Sequence, residues 1–260
     1  MSAQLKDFTI LRNETLASGC CLMYLSTGDG SALPAILPGQ FVQIKVETPG
    51  VFLRRPISIC NTTDDGELVL FIKPVGKGSS HLTKMKAGEK VNILLPMGHG
   101  FDISPEVKGK RILLAGGGVG AAPLVLLARE LSRQGAIVSV ALGGRTRADI
   151  SGIPELYETA ERIALSTDDG SVGEKGVITH NSVFKDSFDR IYCCGPTPMM
   201  KAVARYAKEN KIWCEVSLEN SMACGMGACL CCVQDTSDKG NVCTCTEGPV
   251  FNINRLEKWI

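Results

Sequence analysis

Up to about residue 96, apolar and polar positions alternate over short runs: KDFTILRN, CCLMYLSTG, QFVQIKVE, RPISICN, ELVLFIKPV and KVNILLP. A period of two buries one face of a strand, and turn residues between the runs space them as an antiparallel barrel, with one short helix at 79–85. After the PMGHGF turn the pattern changes to RILLA, a glycine-rich loop, the helical run APLVLLARELSRQ and the strand AIVSVALGG. Strand, helix, strand predicts a parallel sheet. RIALST and DRIYCCG add two strands to it, and a helix from Pro196 to about 210 leads into WCEVSLE. Beyond Glu219 periodicity stops. The expected fold class is therefore α/β plus all-β: a β-barrel at 1–100, a doubly wound parallel α/β sheet at 101–217, and a small irregular domain at 218–260.

The chain has 260 residues, 44% hydrophobic and 21% charged, enough for two packed domains and an appendage without disulfide staples. Its 28 Lys and Arg balance 27 Asp and Glu, so no long-range field draws in nucleic acid or an anionic membrane. The most apolar run, 112–128, is interrupted by GGGVG and Pro123 and is shorter than the roughly 18–20 residues of a membrane span. The start, MSAQLKDFTILRNE, lacks the basic, apolar and small-residue zones of a secretory signal, so a reducing cytoplasm is the expected compartment.

Within RILLAGGGVGAAPL, glycines 116, 117, 118 and 120 stand where a buried strand turns into a helix, leaving backbone amides free to approach a pyrophosphate. Pro123 suits the first helical turn. The pattern Gly118-x-Gly120-x-x-Pro123 is a weak fingerprint alone, because tight turns use glycine anyway. A second such turn, VGKGSSHL, offers Gly76, Gly78, Ser79 and Ser80, which an ordinary helix cap would also explain. In LRRPISIC, Arg55 supplies a fork suited to phosphate oxygens; Ser58, three residues on, belongs to the opposite strand face unless the strand bends. Asp168 and Asp169 follow RIALST, where a carboxylate accepts ribose hydroxyls and repels a 2′-phosphate, although a solvated turn competes. Arg145 points the other way, so the balance tips to NADH rather than excluding NADPH.

Taken in order, Arg55-Pro56-Ile57-Ser58, Gly76-x-Gly78-Ser79-Ser80, Gly118-x-Gly120-x-x-Pro123 and Cys194-Gly195-Pro196 resemble the ferredoxin reductase family of flavoproteins. The resemblance implies an FAD-binding barrel, with Arg55 on the pyrophosphate, Pro56, Ile57 and Ser58 at the flavin ring, Gly78 to Ser80 capping phosphates, and Lys73 among the cofactor contacts. It implies an NAD-binding second domain in which Cys194 to Pro196 lie near the nicotinamide.

The remaining concentration of chemistry is MACGMGACLCC with VCTCTEGP, which hold six of the 12 cysteines. Cys224-x4-Cys229-x2-Cys232 has the plant-type [2Fe-2S] spacing. A zinc site is the rival, but pairing Cys229-x2-Cys232 with Cys243-x-Cys245 fits the usual zinc spacing poorly and leaves Cys224 unused. Spacing does not choose between Cys243 and Cys245 as fourth ligand. RRPISI, SMACGMGACLCC and CTEGPVF together resemble the electron-transfer subunits of class 1B dihydroorotate dehydrogenases, and that resemblance implies Cys245. Cys231 and Cys243, with Cys20, Cys21, Cys60, Cys193 and Cys214, are then buried or surface thiols.

NAD takes a hydride and an iron–sulfur centre a single electron, so FAD, which handles both, is expected between them. No general acid, base or nucleophile is required, and no motif for an organic substrate appears, so electrons must pass to or from a partner. The resemblance implies an FMN-containing catalytic subunit that oxidises dihydroorotate to orotate in pyrimidine biosynthesis, two copies of each subunit forming a heterotetramer. The competing reading is the FAD/[2Fe-2S] subunit of another NAD(P)H-linked complex, a ferredoxin:NADP oxidoreductase or a cytosolic hydrogenase. A zinc-stabilised binding module on a degenerate reductase fold is the non-enzymatic alternative.

Overall fold

The computed structural model describes residues 3–16, 18–150 and 152–260. Six strands close a barrel in the order β1-β2-β5-β4-β3-β6: β1 (Gln4–Thr15), β2 (Cys21–Thr27), β3 (Phe41–Ile44), β4 (Arg55–Thr62), β5 (Leu68–Ile72) and β6 (Lys90–Met97). All neighbours are antiparallel. Helix α1 (Lys77–Leu82) lies between β5 and β6, starting two residues earlier than the pattern predicts, and its Leu82 joins the barrel core.

Alternation explains the two-sided burial. Phe8, Ile10, Met23, Val42, Ile44, Leu70, Ile72 and Ile93 fill the barrel interior. From the same strands, Leu22, Tyr24, Val69 and Phe71 face outward and join the core of the second domain. CLMYL and LVLFI therefore read as unbroken apolar runs because both faces are covered. Each such large side chain contributes about 1.5–3 kcal/mol on burial, so the two domains are fused through a shared core rather than hinged on a linker.

The second sheet has seven strands in the order β10-β9-β8-β7-β11-β12-β15. These are β7 (Arg111–Gly117), β8 (Ile137–Gly144), β9 (Arg162–Thr167), β10 (Glu174–Lys175), β11 (Arg190–Cys194), β12 (Trp213–Ser217) and β15 (Val250–Asn252). Helix α2 (Ala122–Arg133) follows β7 and packs against β4 of the barrel, where Arg129 donates to the Thr62 carbonyl and, at 3.0 Å, to its hydroxyl. α3 (Pro154–Thr159) precedes β9, and α4 (Thr197–Glu209) joins β11 to β12. β7 to β12 are parallel, and the chain runs outward from β7 through β8 and β9 before returning to β11 on β7's other side. The order of strands therefore reverses between β7 and β11, the place where ligands bind in open parallel sheets.

The last segment is more regular than its sequence suggests. β13 (Val233–Thr236) and β14 (Gly240–Cys243) form a hairpin, followed by α5 (Thr244–Glu247). β15 then pairs antiparallel with β12, and Phe251, Ile253 and Leu256 enter the core on the α4 side of the sheet. Both ends of the cysteine region are thus anchored on the second domain. No helix among the described residues is long and apolar enough to cross a membrane.

Candidate functional site

The first cluster of predicted residues stands at the barrel mouth. β3 and β4 pair Phe41 with Ser58, Gln43 with Pro56 and Ile44 with Arg55. Arg55 and Ser58 accordingly lie on opposite faces of β4, and Arg55 leaves the strand's inner face at its first residue, where α1 covers the barrel. A methyl group at Gly78 would stand 2.8 Å from Arg55 Nε, so the glycine leaves the guanidinium room to lie on the α1 backbone. Arg55 Nη1 donates to the Leu53 carbonyl at 2.7 Å, and the guanidinium forms no ion pair among the described residues. A half-buried arginine held by carbonyls and facing helix amides is arranged for an anion.

The neighbouring polar groups divide into two roles. Arg54 is structural: it donates to the Asn92 carbonyl at 3.0 Å and the Gln43 carbonyl at 3.2 Å, tying β6 to β3. Ser79 is buried, and its hydroxyl accepts from the Val75 and Gly76 amides at 3.0 and 3.1 Å while donating to the Gly76 carbonyl. It folds the turn rather than facing outward. Ser80 is half-buried, as are Pro56, Ile57 and Ser58. Lys73 is also half-buried; burial raises the Asp149 carboxyl, but the Thr146 amide, Arg145 and, least of all, the Lys73 charge together hold it below the usual range.

The second cluster lies at the carboxyl ends of β7 and β11. A methyl group at Gly120 would meet the Cys194 carbonyl oxygen at 2.4 Å, and one at Gly117 would meet the Met199 sulfur at 2.6 Å and Pro196 Cδ at 2.8 Å. Gly118 takes φ +55 with nothing within 4 Å of its missing side chain, so the loop's open face is here. Pro123 stands in the first turn of α2, and Gly195 packs on the Gly117 backbone. The two glycine motifs are therefore one structure at the switch point. Burial pushes the Cys194 thiol up to about 12, despite a countering bond with Ser217, so it is a neutral group there.

Asp168 stands apart from this cluster, exposed at the end of β9, its amide donating to the Gly144 carbonyl at 3.1 Å. Asp169 is used by its own turn, accepting from the Ser171 amide and hydroxyl at 2.9 and 2.6 Å. Arg145 pairs with Asp149 at 3.5 Å and remains 81% exposed. Beside this edge a cavity of about 550 Å³ is lined by Thr146, Arg147, Asp169 and Ser171, polar groups suited to a nucleoside.

The third cluster is the cysteine loop, which folds over the outer face of β3 and β6. Cys232 and Cys245 pack with Phe41 and Met97, and a methyl group at Gly225 would strike Gln43 Nε2 at 2.7 Å. Gly225 and Gly227 take φ +71 and +78, turning their flanking amides inward. Met226 and Cys229 donate backbone N–H groups to Cys224 Sγ at 3.3 and 3.4 Å, Gly227 to Cys245 Sγ at 3.2 Å, and Cys245 to Cys232 Sγ at 3.4 Å. The Met226 and Cys229 amides hold the Cys224 thiol down to about 6.

The thiols fall into pairs, Cys224 with Cys229 and Cys232 with Cys245. Two thiolates per iron is the demand of a [2Fe-2S] centre. Burial and the Cys232 thiol push Cys245 up to about 12, so ionisation there needs the charge of a bound metal. Cys243 also touches Cys232, but its sulfur donates to the Gly227 carbonyl at 3.5 Å and receives no backbone amide. A carbonyl partner favours a thiol and amide partners favour a thiolate. Cys231 is exposed, while Cys20, Cys21, Cys60, Cys193 and Cys214 are buried.

Two residues here escape a reading by motif. Gln43 is fully buried with neither amide atom hydrogen-bonded, and Arg54 proves to hold the barrel edge that Arg55 uses. Two family models match the two ends of the chain. The family model for an oxidoreductase FAD-binding domain matches residues 8–101, and that for the iron-sulfur cluster binding domain of dihydroorotate dehydrogenase B matches 219–257. The chain is 40% identical over 215 residues to the dihydroorotate dehydrogenase B (NAD(+)) electron transfer subunit of Clostridium perfringens (strain 13 / Type A), covering 82% of this chain and 84% of that one. The subunit of the same name from Geobacillus sp. (strain WCH70) is 36% identical across 96% of this chain and 98% of its own. Among solved structures, an NADH-dependent reduced ferredoxin-NADP oxidoreductase superposes with a TM-score of 0.82 at 29% identity, over 95% of this chain and 88% of that one. At 36–40% identity over most of both chains, the chain belongs to the family of dihydroorotate dehydrogenase B (NAD(+)) electron transfer subunits.

Proposed function

We propose that this chain is the oxidoreductase subunit that carries electrons from an FMN-containing dihydroorotate dehydrogenase subunit to NAD+ in pyrimidine biosynthesis. The carrying observation is the cysteine loop docked on β3, with Cys232 and Cys245 packed against Phe41 and Met97, one strand away from the Arg55 to Ser58 strand. FAD, when bound, exchanges a hydride with the nicotinamide and single electrons with the [2Fe-2S] centre. Arg55, with Gly78 and Ser80, would hold the FAD pyrophosphate; Ser79 keeps that turn in shape; Pro56, Ile57 and Ser58 would form the ring's seat, with Lys73 among the cofactor contacts.

Gly118, Gly120 and Pro123 admit the dinucleotide phosphates to the start of α2, and Cys194, Gly195 and Pro196 border the nicotinamide. Asp168 accepts the adenosine ribose hydroxyls, which selects NADH. Cys224, Cys229, Cys232 and Cys245 would hold the [2Fe-2S] centre. The barrel at 1–100 thus serves FAD, 101–217 serves NAD, and 218–260 serves the cluster. Met226 and Leu230, 68% and 65% exposed on the cysteine loop, form the apolar part of the surface that meets the FMN subunit. The assembly is a cytoplasmic heterotetramer.

Co-expression with the FMN subunit tests the reading: dihydroorotate should bleach the flavin and cluster absorption bands, and NAD+ should restore them. An active FMN subunit that leaves both bands unchanged would overturn it. The FAD/[2Fe-2S] subunit of a ferredoxin:NADP oxidoreductase keeps a specific footing in the 0.82 superposition, and bleaching by reduced ferredoxin instead would favour it.

A further inference from the structure

Gln43 sits on β3 at 0% exposure, and both its side-chain nitrogen and its side-chain oxygen are buried with no hydrogen-bond partner. Its position is outward, opposite Pro56 on β4, so the amide projects away from the barrel core. What covers it is the cysteine loop: the missing side chain of Gly225 leaves a space into which Gln43 Nε2 reaches, 2.7 Å from where a methyl group would be. On the same strand, Phe41 packs with Met97, Cys232 and Cys245. The amide is thus enclosed between a barrel strand and the loop that carries the proposed ligands. A buried amide without partners is costly, so the folded protein keeps one there only if something pairs with it.

We infer that the Gln43 side-chain N–H donates a hydrogen bond to a sulfur of the iron–sulfur centre and sets its reduction potential. The inference rests on the cluster reading above. The side chains beside it, Met97 and Phe41, are apolar, and Gly225 brings no side chain, so none of these offers a side-chain acceptor to Nε2. Backbone amides from Met226, Gly227, Cys229 and Cys245 already point at cysteine sulfurs, and Gln43 adds a donor from the barrel side. A donor to sulfur stabilises the extra negative charge of the reduced centre and raises its potential. Because β3 pairs with the Pro56 to Ser58 stretch of β4, the strand that tunes the centre lies beside the strand that seats the flavin.

Gln43→Met keeps length and volume and removes the donor. In the full chain carrying FAD and cluster, EPR-monitored titration should show a lower cluster midpoint potential with the flavin potential, iron and labile sulfide unchanged. A cluster potential equal to wild type, or a shift confined to the flavin, overturns the inference. A Gln43 with no partner would reveal itself differently, since Gln43→Met would then raise the melting temperature and leave the EPR titration untouched. Should the variant load poorly, wild-type protein with 15N-glutamine decides: pulsed EPR of the reduced centre should detect a side-chain 15N coupling, and its absence counts against the proposal. A wild-type chain without iron and labile sulfide would instead bring down the cluster reading on which all of this stands.

Discussion

Gly120 lies directly against the Cys194 carbonyl: a methyl group there would come within 2.4 Å of the oxygen and 2.5 Å of the carbon. Both atoms belong to the main chain of β11, which is locked between β7 and β12, so no rotamer change relieves the clash. Gly120→Ala should therefore cost about 1–3 kcal/mol of stability, the usual range for overpacking. It should also push Cys194 and Pro196 out of register with the loop that admits NAD. Thermal melting and NADH titration of flavin-loaded protein check this; wild-type values for both would mean the contact yields without consequence.

The two adjacent arginines separate by experiment. Arg55→Ala removes the charged fork beside Gly78 and should weaken FAD binding roughly ten- to hundred-fold, the loss of one charge-assisted contact of about 1.5–3 kcal/mol. The barrel itself should melt normally without flavin. Arg54→Ala should do the reverse, lowering the melting temperature of flavin-free protein through the lost bonds to Asn92 and Gln43. Equal effects of both variants on flavin affinity would contradict the division.

These contrasts mark what the sequence could and could not reveal. Barrel and sheet were legible because alternation and helical period extend over long runs, and the glycine and cysteine motifs because their spacing is rigid. Arg54 and Arg55 are identical letters in sequence; only the β3 to β4 register assigns one to the strand edge and the other to the mouth. Gln43 reads as a solvent-facing position in QFVQIKVE, and it is buried only because the cysteine loop docks on it from about 180 residues away. The hairpin of β13 and β14 and the edge strand β15 run four, four and three residues, too short for periodicity to register. Their burial comes from tertiary pairing.

The proposal of Cys245 as fourth thiolate rests on hydrogen-bond polarity. Cys245 receives the Gly227 amide, whereas Cys243 gives its proton to the Gly227 carbonyl. Cys245→Ser should abolish the [2Fe-2S] signal or change its EPR spectrum, with loss of iron and labile sulfide. Cys243→Ser should keep all three, as should Cys231→Ser at an exposed position. The opposite pattern for positions 243 and 245 would move the ligand to the end of β14.

A last expectation concerns pH and the junction of the two domains. Glu215 on β12 is 9% exposed, and its carboxylate accepts the Asp102 amide at 2.9 Å just past the barrel. Burial pushes its carboxyl up to about 7; the Asp102 amide opposes this, the Asp102 charge adds to it, and Arg190 opposes it again. The folded protein thus holds a proton that the unfolded chain has released by about pH 5. Linkage then fixes the sign: the contribution is fully present below the ordinary glutamate range and is lost as pH rises through about 7, on the order of 3–4 kcal/mol in total. Carboxyls held low, such as Asp189 beside the Arg111 amide, slope the other way at more acidic pH, so the comparison must be with Glu215→Gln. That variant keeps an acceptor for Asp102 and removes the titration. Melting temperatures of the two proteins, measured from pH 5 to 8, should show wild type losing ground steadily to Glu215→Gln and the gap becoming constant above about pH 7. A gap constant across the whole range would show that Glu215 titrates as it does in the unfolded chain.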